Sequence, residues 1–434
     1  MSSLALVPNP GPAIKITPLD FQGNLLNLLP ESGGLAWVTG IVGAQTGAVG
    51  WGIFEQATFT GPERFSRAQK WWSNWCQSTG IAEAIAFTSF AFADEPGDSV
   101  VVIPEVTVAN QDGQSFLIVV SDPESLDRKS AQALRLISDA QTRIAMNGAS
   151  TYSQKTDSHA NPPTWLAGTL PVELWQEIVD KAVVRIRAGE LDKVVLARDL
   201  YAHHQNPIDV GKILLKLNER FPDCWTFSVA GLLGATPELL IKRSGSAVTS
   251  RVLAGTMRRS SDLHRDDALA AALLDSSKDQ EEHEYAVASV RSALAPHCTD
   301  LKIPAEPKLL QLANVQHLAT EVTGELADNV SALILAASLH PTAAVCGTPT
   351  ERAASVIAEL EGMARNRYAG PVGWLTGDGD GELGIALRCA SIENDERTLL
   401  RLYAGCGIVF ESTGELEVAE SNAKFNAMRE ALSE

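Results

Sequence analysis

Pro371–Ala404 reads PVGWLTGDGDGELGIALRCASIENDERTLLRLYA. Val372–Leu375 is an apolar run, Gly377–Gly381 a break rich in Gly and Asp, and Leu383–Ile392 a second run. Asn394-Asp395-Glu396 breaks the chain again before Thr398–Ala404. Short polar breaks of this kind between apolar runs predict antiparallel hairpins, because Gly and Asp reach turn conformations at little cost. Helical patterns surround these hairpins. One is expected at about Ala419–Leu432. Upstream, Leu174, Ile178, Ala182 and Ile186 recur every four residues beside Trp175, Val179 and Val183, which marks one apolar helix face. Hairpins mixed with helices predict an α+β fold rather than a doubly wound parallel sheet.

Between those landmarks the order continues. Gly189 ends the first helix and Lys193–Arg198 starts a strand. Asp209 caps a helix through Leu217, Cys224–Ala230 reads as a strand, and Leu239–Arg243 pairs with Ala247–Leu253 around Ser244-Gly245-Ser246. Ser277 with Gln280, and Thr348-Pro349 with Glu351, predict helix starts, the helices running to about Leu294 and Leu360. In the N-terminal third, Ala84–Ala93 and Val100–Ile103 read as strands, the second ending at Pro104. Trp71, Trp72 and Trp75 fall on helical spacing and are read as core packing. Asn147–Thr164 reads as a long polar surface loop.

The chain has 434 residues and a formal net charge of −18, so nucleic acid and anionic membranes are unsuitable partners. No apolar run approaches the ~18 residues of a membrane helix, and no secretory leader is read at the N-terminus, so a cytoplasmic protein is expected. The six cysteines show no metal-site spacing and are expected to be reduced thiols. No GxGxxG, P-loop, GxSxG or HExxH pattern is present. Asp378–Glu382 fits a hairpin turn better than a calcium loop.

Several charged residues sit where packing favours apolar ones. Lys193 and Glu238 stand at the mouths of apolar strands, facing solvent or a site. Arg388 lies within the apolar run Leu383–Ile392 and needs an anion, whether a side chain or a ligand. Glu417, Glu420 and Lys424 share a helix face, and Glu282 opens another helix. Such carboxylates are either a solvated face or ligands for a hard cation.

Taken together, these segments resemble the chorismate-utilising enzymes, the family that includes isochorismate, salicylate, anthranilate and aminodeoxychorismate synthases. The matching strings are KVVLARDL from Lys193, GATPELL from Gly234, LAGTMRR from Leu253, SKDQEEHEYAV from Ser277 and VQHLATEVTGEL from Val315. They continue with LHPTAAVCGTP from Leu339, YAGPVGW from Tyr368, GELGIALRCA from Gly381, LYAGCGIV from Leu402 and ELEVAESNAKF from Glu415. Residues 166–434 carry these motifs and 1–165 match weakly.

The resemblance implies one large domain over 1–434 with an anthranilate synthase component I-like fold, two antiparallel sheets packed between helices. It implies Mg²⁺ held by Glu282 and Glu420, with Glu417 acting nearby through water, and chorismate held by Gly255, Thr256, His317, Ala344, Tyr368, Arg388, Gly405, Gly407 and Lys424. Lys193 stands where water-adding members carry lysine and amine-adding members usually carry glutamine. Ala254 stands where aminodeoxychorismate synthases carry a nucleophilic lysine. Ala344 matches isochorismate synthases, whereas salicylate synthases tend to have threonine; Tyr368 stands where some isochorismate synthases have phenylalanine. The expected activity is therefore that of an isochorismate synthase, an isomerase feeding menaquinone or siderophore synthesis, with salicylate synthase as the alternative. Lys193 is the expected general base and Glu238 the expected general acid. A monomer without a glutaminase subunit is expected.

Overall fold

The computed structural model describes residues 11–95, 97–111, 113–147 and 162–433. Residues 1–10, where no secretory leader was expected, and most of the expected polar loop, 148–161, lie outside them.

The strands form two antiparallel arms. In one, Ala13–Leu19 pairs with Gln114–Ser121, and the ladder continues through Ser99–Gln111, Thr46–Phe59, Leu35–Thr39, Trp225–Val229, Leu232–Thr236, Cys389–Ile392, Leu399–Ile408 and Lys193–His203. In the other, Ile85–Ser89, Pro371–Thr376, Gly381–Ile385, Leu239–Ser244, Ala247–Arg258 and Val315–Leu326 follow one another. The expected two sheets are thus present, joined through Ser99–Gln111. Val100–Val102 of that strand pairs with Phe87–Ser89, whereas Val106–Gln111 pairs with 114–119. Pro104 falls between the two partners and opposite a register shift in Thr46–Phe59. Its missing N–H therefore removes no ladder bond on that edge, and the strand runs past the proline that was expected to end it.

The ladders cross residue 165: Ala36–Val38 pairs with 226–228, and Ile85–Ser89 with 372–376. Helices Val172–Arg187, Thr350–Leu360 and Gly414–Ser433 pack on the first arm, and Leu263–Asp275, Ser277–Leu294 and Ala332–Leu339 on the second. Trp72 and Trp75 of helix Arg64–Thr79 stack at 5.3 Å in the core, as their spacing predicts.

Three local expectations change. The run Leu383–Ile392 is broken into Gly381–Ile385 and Cys389–Ile392, and Arg388 sits in the break at φ +48°. The cap of helix Ser277–Leu294 is Ser276, whose Oγ accepts from Asp279 N at 3.2 Å. The closing helix begins a turn earlier than expected, at Gly414.

Candidate active site

The two arms face each other across a cleft of about 710 Å³, solvent at its mouth included. From the first arm come Gly405 and Gly407 of Leu399–Ile408, with Glu420 and Lys424 of the helix that follows. From the second come Glu238, Gly255, Thr256, His317 and Glu282. Ala344, Tyr368 and Arg388 complete the wall.

Two sequence-expected residues stand behind that wall. Lys193 opens strand Lys193–His203 and is 0% exposed. Its Nζ lies 2.9 Å from Oε1 of Glu282, which does line the cleft, and has no other hydrogen-bond partner. Glu417 is 2% exposed and its Oε2 has no partner at all.

Local backbone positions these groups. Strand Ala247–Arg258 bulges between Ala254 and Thr256, and Gly255 takes φ +75° there. A left-handed bulge position favours glycine. A Cβ on Gly255 would also stand 3.0 Å from Cβ of Asp279. The bulge sets Thr256 opposite His317, whose Nδ1 is 3.0 Å from Thr256 Oγ1. Nε2 of the same ring lies 3.4 Å from Arg388 Nη2, so it accepts from the guanidinium and Nδ1–H donates to the hydroxyl. Gly407 leaves room for the buried pair: a Cβ there would lie 2.5 Å from Glu282 Oε1 and 3.0 Å from Lys193 Cε. Gly405 does the same for Tyr368, whose hydroxyl would be 2.9 Å from an added Cβ. Lys424 Nζ donates to Gly405 O at 2.8 Å and pairs with Glu420 at 2.6 Å.

The titratable groups fall into three environments. Burial pushes the Glu238 carboxyl up to about 8, against the pull of Lys193, Arg388 and Lys424, so it is protonated at neutral pH. Burial also drives His317 well down, reinforced by Arg388 and Lys424, which keeps the ring neutral. Glu282 goes the other way: burial opposes its charge, but Lys193 outweighs it and the carboxylate is held below its usual range. Glu417 rises to about 7 through burial and the neighbouring charge of Glu420.

Glu417 and Glu420 offer carboxylate oxygens within 4.8 Å of each other and of Cys406 Sγ. A buried, partnerless carboxylate oxygen beside a second carboxylate is what a small dication would relieve, so the donors fit Mg²⁺. The Cys406 thiol, raised far above its ordinary value by burial and then by Glu420, donates to Glu417 O at 3.3 Å and stays protonated.

Other groups were not singled out from the sequence. Glu361 and Arg365 form a fully buried two-point pair at 2.7 and 2.6 Å, and Arg365 also donates to the carbonyls of Val195 and Val345. Their i,i+4 spacing was the available signal. His283 bridges Ala254 O and Thr320 Oγ1 from within a run of acidic residues. Tyr403 stacks on Tyr368 at 4.9 Å.

Residues 42–433 match the family described as chorismate binding enzyme. The chain is 37% identical over 337 residues to the isochorismate synthase DhbC of Bacillus subtilis, covering 75% of this chain and 83% of that one. The fold superposes on MenF, the menaquinone-specific isochorismate synthase from Escherichia coli, with TM-score 0.78, 25% identity, and coverage of 98% and 95% of the two chains. Anthranilate synthase component I from Streptococcus pneumoniae, at 20% identity and TM-score 0.63 over 99% and 94% of the chains, shares the fold.

Proposed function

The chain belongs to the chorismate-binding enzymes, and from that membership we propose that it is an isochorismate synthase. The observation that carries the reading is the buried Glu238 on the wall of a cleft that Lys193, paired with Glu282, approaches from behind. Converting chorismate to isochorismate requires a proton acceptor and a proton donor together.

Lys193 takes a proton from a water molecule, and the water oxygen attacks ring carbon 2. Glu238 gives its proton to the hydroxyl leaving carbon 4, and the ring double bonds shift. One water enters and one leaves, so the product is an isomer of the substrate. For that, the 2.9 Å pair with Glu282 has to open and the ammonium has to give up its own proton, so that Nζ meets the water as a neutral amine. Arg388, supported by neutral His317, and Lys424 hold the substrate's carboxylates. Tyr368 flanks the ring on its stacked partner Tyr403. Glu282, Glu417 and Glu420 would hold Mg²⁺, which when bound offsets the charge of the ring carboxylate. Ala344 leaves the space that salicylate synthases tend to fill with threonine.

The test is incubation of the purified protein with chorismate and Mg²⁺, followed by chromatographic identification of the product. Isochorismate that retains its enolpyruvyl group is expected. Salicylate with free pyruvate, or an aminated product formed with ammonia, would replace this reading, and unconsumed chorismate would reject it.

A further inference from the structure

The cleft opens into a second cavity of about 1310 Å³, solvent at its mouth included. Thr256, Glu420 and Lys424 line both spaces. The outer walls come from the end of strand Ala247–Arg258, the start of helix Leu263–Asp275 and the first turns of helix Gly414–Ser433.

Three arginines line this outer space: Arg258, Arg259 and Arg265. Arg259 is already neutralised, with Asp266 at 2.6 Å and Leu312 O at 3.1 Å. Arg258 is exposed and donates only to the main-chain carbonyl of Ala419, and Arg265 is exposed as well. Among the described residues neither pairs with a carboxylate. Glu420 is the cavity's one lining carboxylate among the described residues, and Lys424 answers it at 2.6 Å. A chain of net charge −18 therefore presents two uncompensated positive groups at the mouth of its anion-binding cleft.

We propose that this outer cavity is the entry passage for a small organic dianion, and that Arg258 and Arg265 steer the dianion into the cleft. The proposal deepens the reading above, because it takes chorismate as the passing dianion. Repulsion from remote acidic residues is screened beyond ~8 Å at physiological ionic strength, so cations at the mouth govern the last stage of approach. A concave passage whose lining cations outnumber its one carboxylate, itself paired with Lys424, focuses the field on its axis and raises the encounter rate. A guanidinium without a fixed carboxylate partner is free to pair transiently with a moving one. Arg259, held by Asp266, is excluded from that role.

The experiment compares wild type with the double variants R258Q/R265Q and R258E/R265E at constant Mg²⁺ over rising NaCl. For R258Q/R265Q at low salt, kcat/KM should fall about tenfold with kcat unchanged. The charge-reversed pair should fall further, and all three should converge at high salt. The association rate of chorismate, measured by stopped flow on the same proteins, reads steering independently of turnover and should follow the same order. Failure of wild type to consume chorismate rejects the isochorismate synthase reading alone. Association rates that are equal across the three proteins, or that share one salt slope, overturn the steering proposal. A loss confined to kcat overturns it too.

Discussion

Trp72 and Lys193 are both almost wholly removed from solvent, at 2% and 0% exposure, but the regions around them differ in kind. Trp72 lies in the N-terminal part, where its ring stacks on Trp75 and its Nε1 donates to Thr376 O at 3.0 Å. Every need of that side chain is met by the fold. Lys193 has a single ion pair and no other partner, and Glu417 nearby in the motif-bearing part has a carboxylate oxygen with none. All residues lining the cleft come from beyond residue 194. Residues 13–121 supply strands and core to the same ladder but no group to that wall. The contrast lies in which group is buried: an indole whose N–H is satisfied at the first position, and charged groups with one partner or none beside the cleft at the second.

The sharpest way to break this contrast is Glu238→Gln. It keeps the shape and removes the proposed proton donor, so kcat/KM should fall about 10³-fold while the melting temperature holds. A variant that kept its rate would remove Glu238 from the chemistry. Gly407→Ala comes next. The added Cβ intrudes on both members of the buried pair, and misplacing reacting groups on that scale costs about 10²-fold. Product formation assayed alongside circular dichroism separates this loss from unfolding.

The pH profile sharpens the contrast further. In the proposed reaction Glu238 acts in its protonated form, and burial raises its pKa to about 8. The donor is therefore present below that value and is lost as pH rises through it. Above it, kcat/KM should fall about tenfold per pH unit, and this limb should be absent from Glu238→Gln. The smallest kinetic effect belongs to the frame. Trp72→Ala should cost about 3–5 kcal/mol of stability, read from denaturant titration, with kcat/KM unchanged within about twofold well below the melting point. A kinetic loss as large as that of Gly407→Ala would erase the distinction between the two parts.

The charged residues of the cleft stood out by their local setting, whereas Gly255, Thr256, His317, Ala344, Tyr368, Gly405 and Gly407 were named only through the resemblance. Glu238 follows Thr236-Pro237, and Lys193 opens an apolar strand. What escaped depends on contacts between distant segments. Arg388 reads as a strand residue, and nothing local announces the left-handed backbone that breaks the strand there. Pro104 reads as a strand end, because its neutrality depends on which strand lies alongside. Glu361 and Arg365 look like an ordinary helix-end pair until the strand carrying Val195 and Ala197 closes over them. The acidic cluster illustrates a different limit: Glu417 and Glu420 meet in space, whereas Glu282 is engaged by Lys193, a distinction no spacing rule contains.

The sharing of Ser99–Gln111 between the two arms has a consequence for traffic. Walls that belong to a continuous hydrogen-bonded ladder cannot swing apart like the covers of a book, since that would tear backbone bonds along the common spine. What is left to move is what lies outside the ladder, the helix starts and side chains that frame the doorway. The tempo of loading and discharge would be set at that threshold, by the few flexible side chains that frame it.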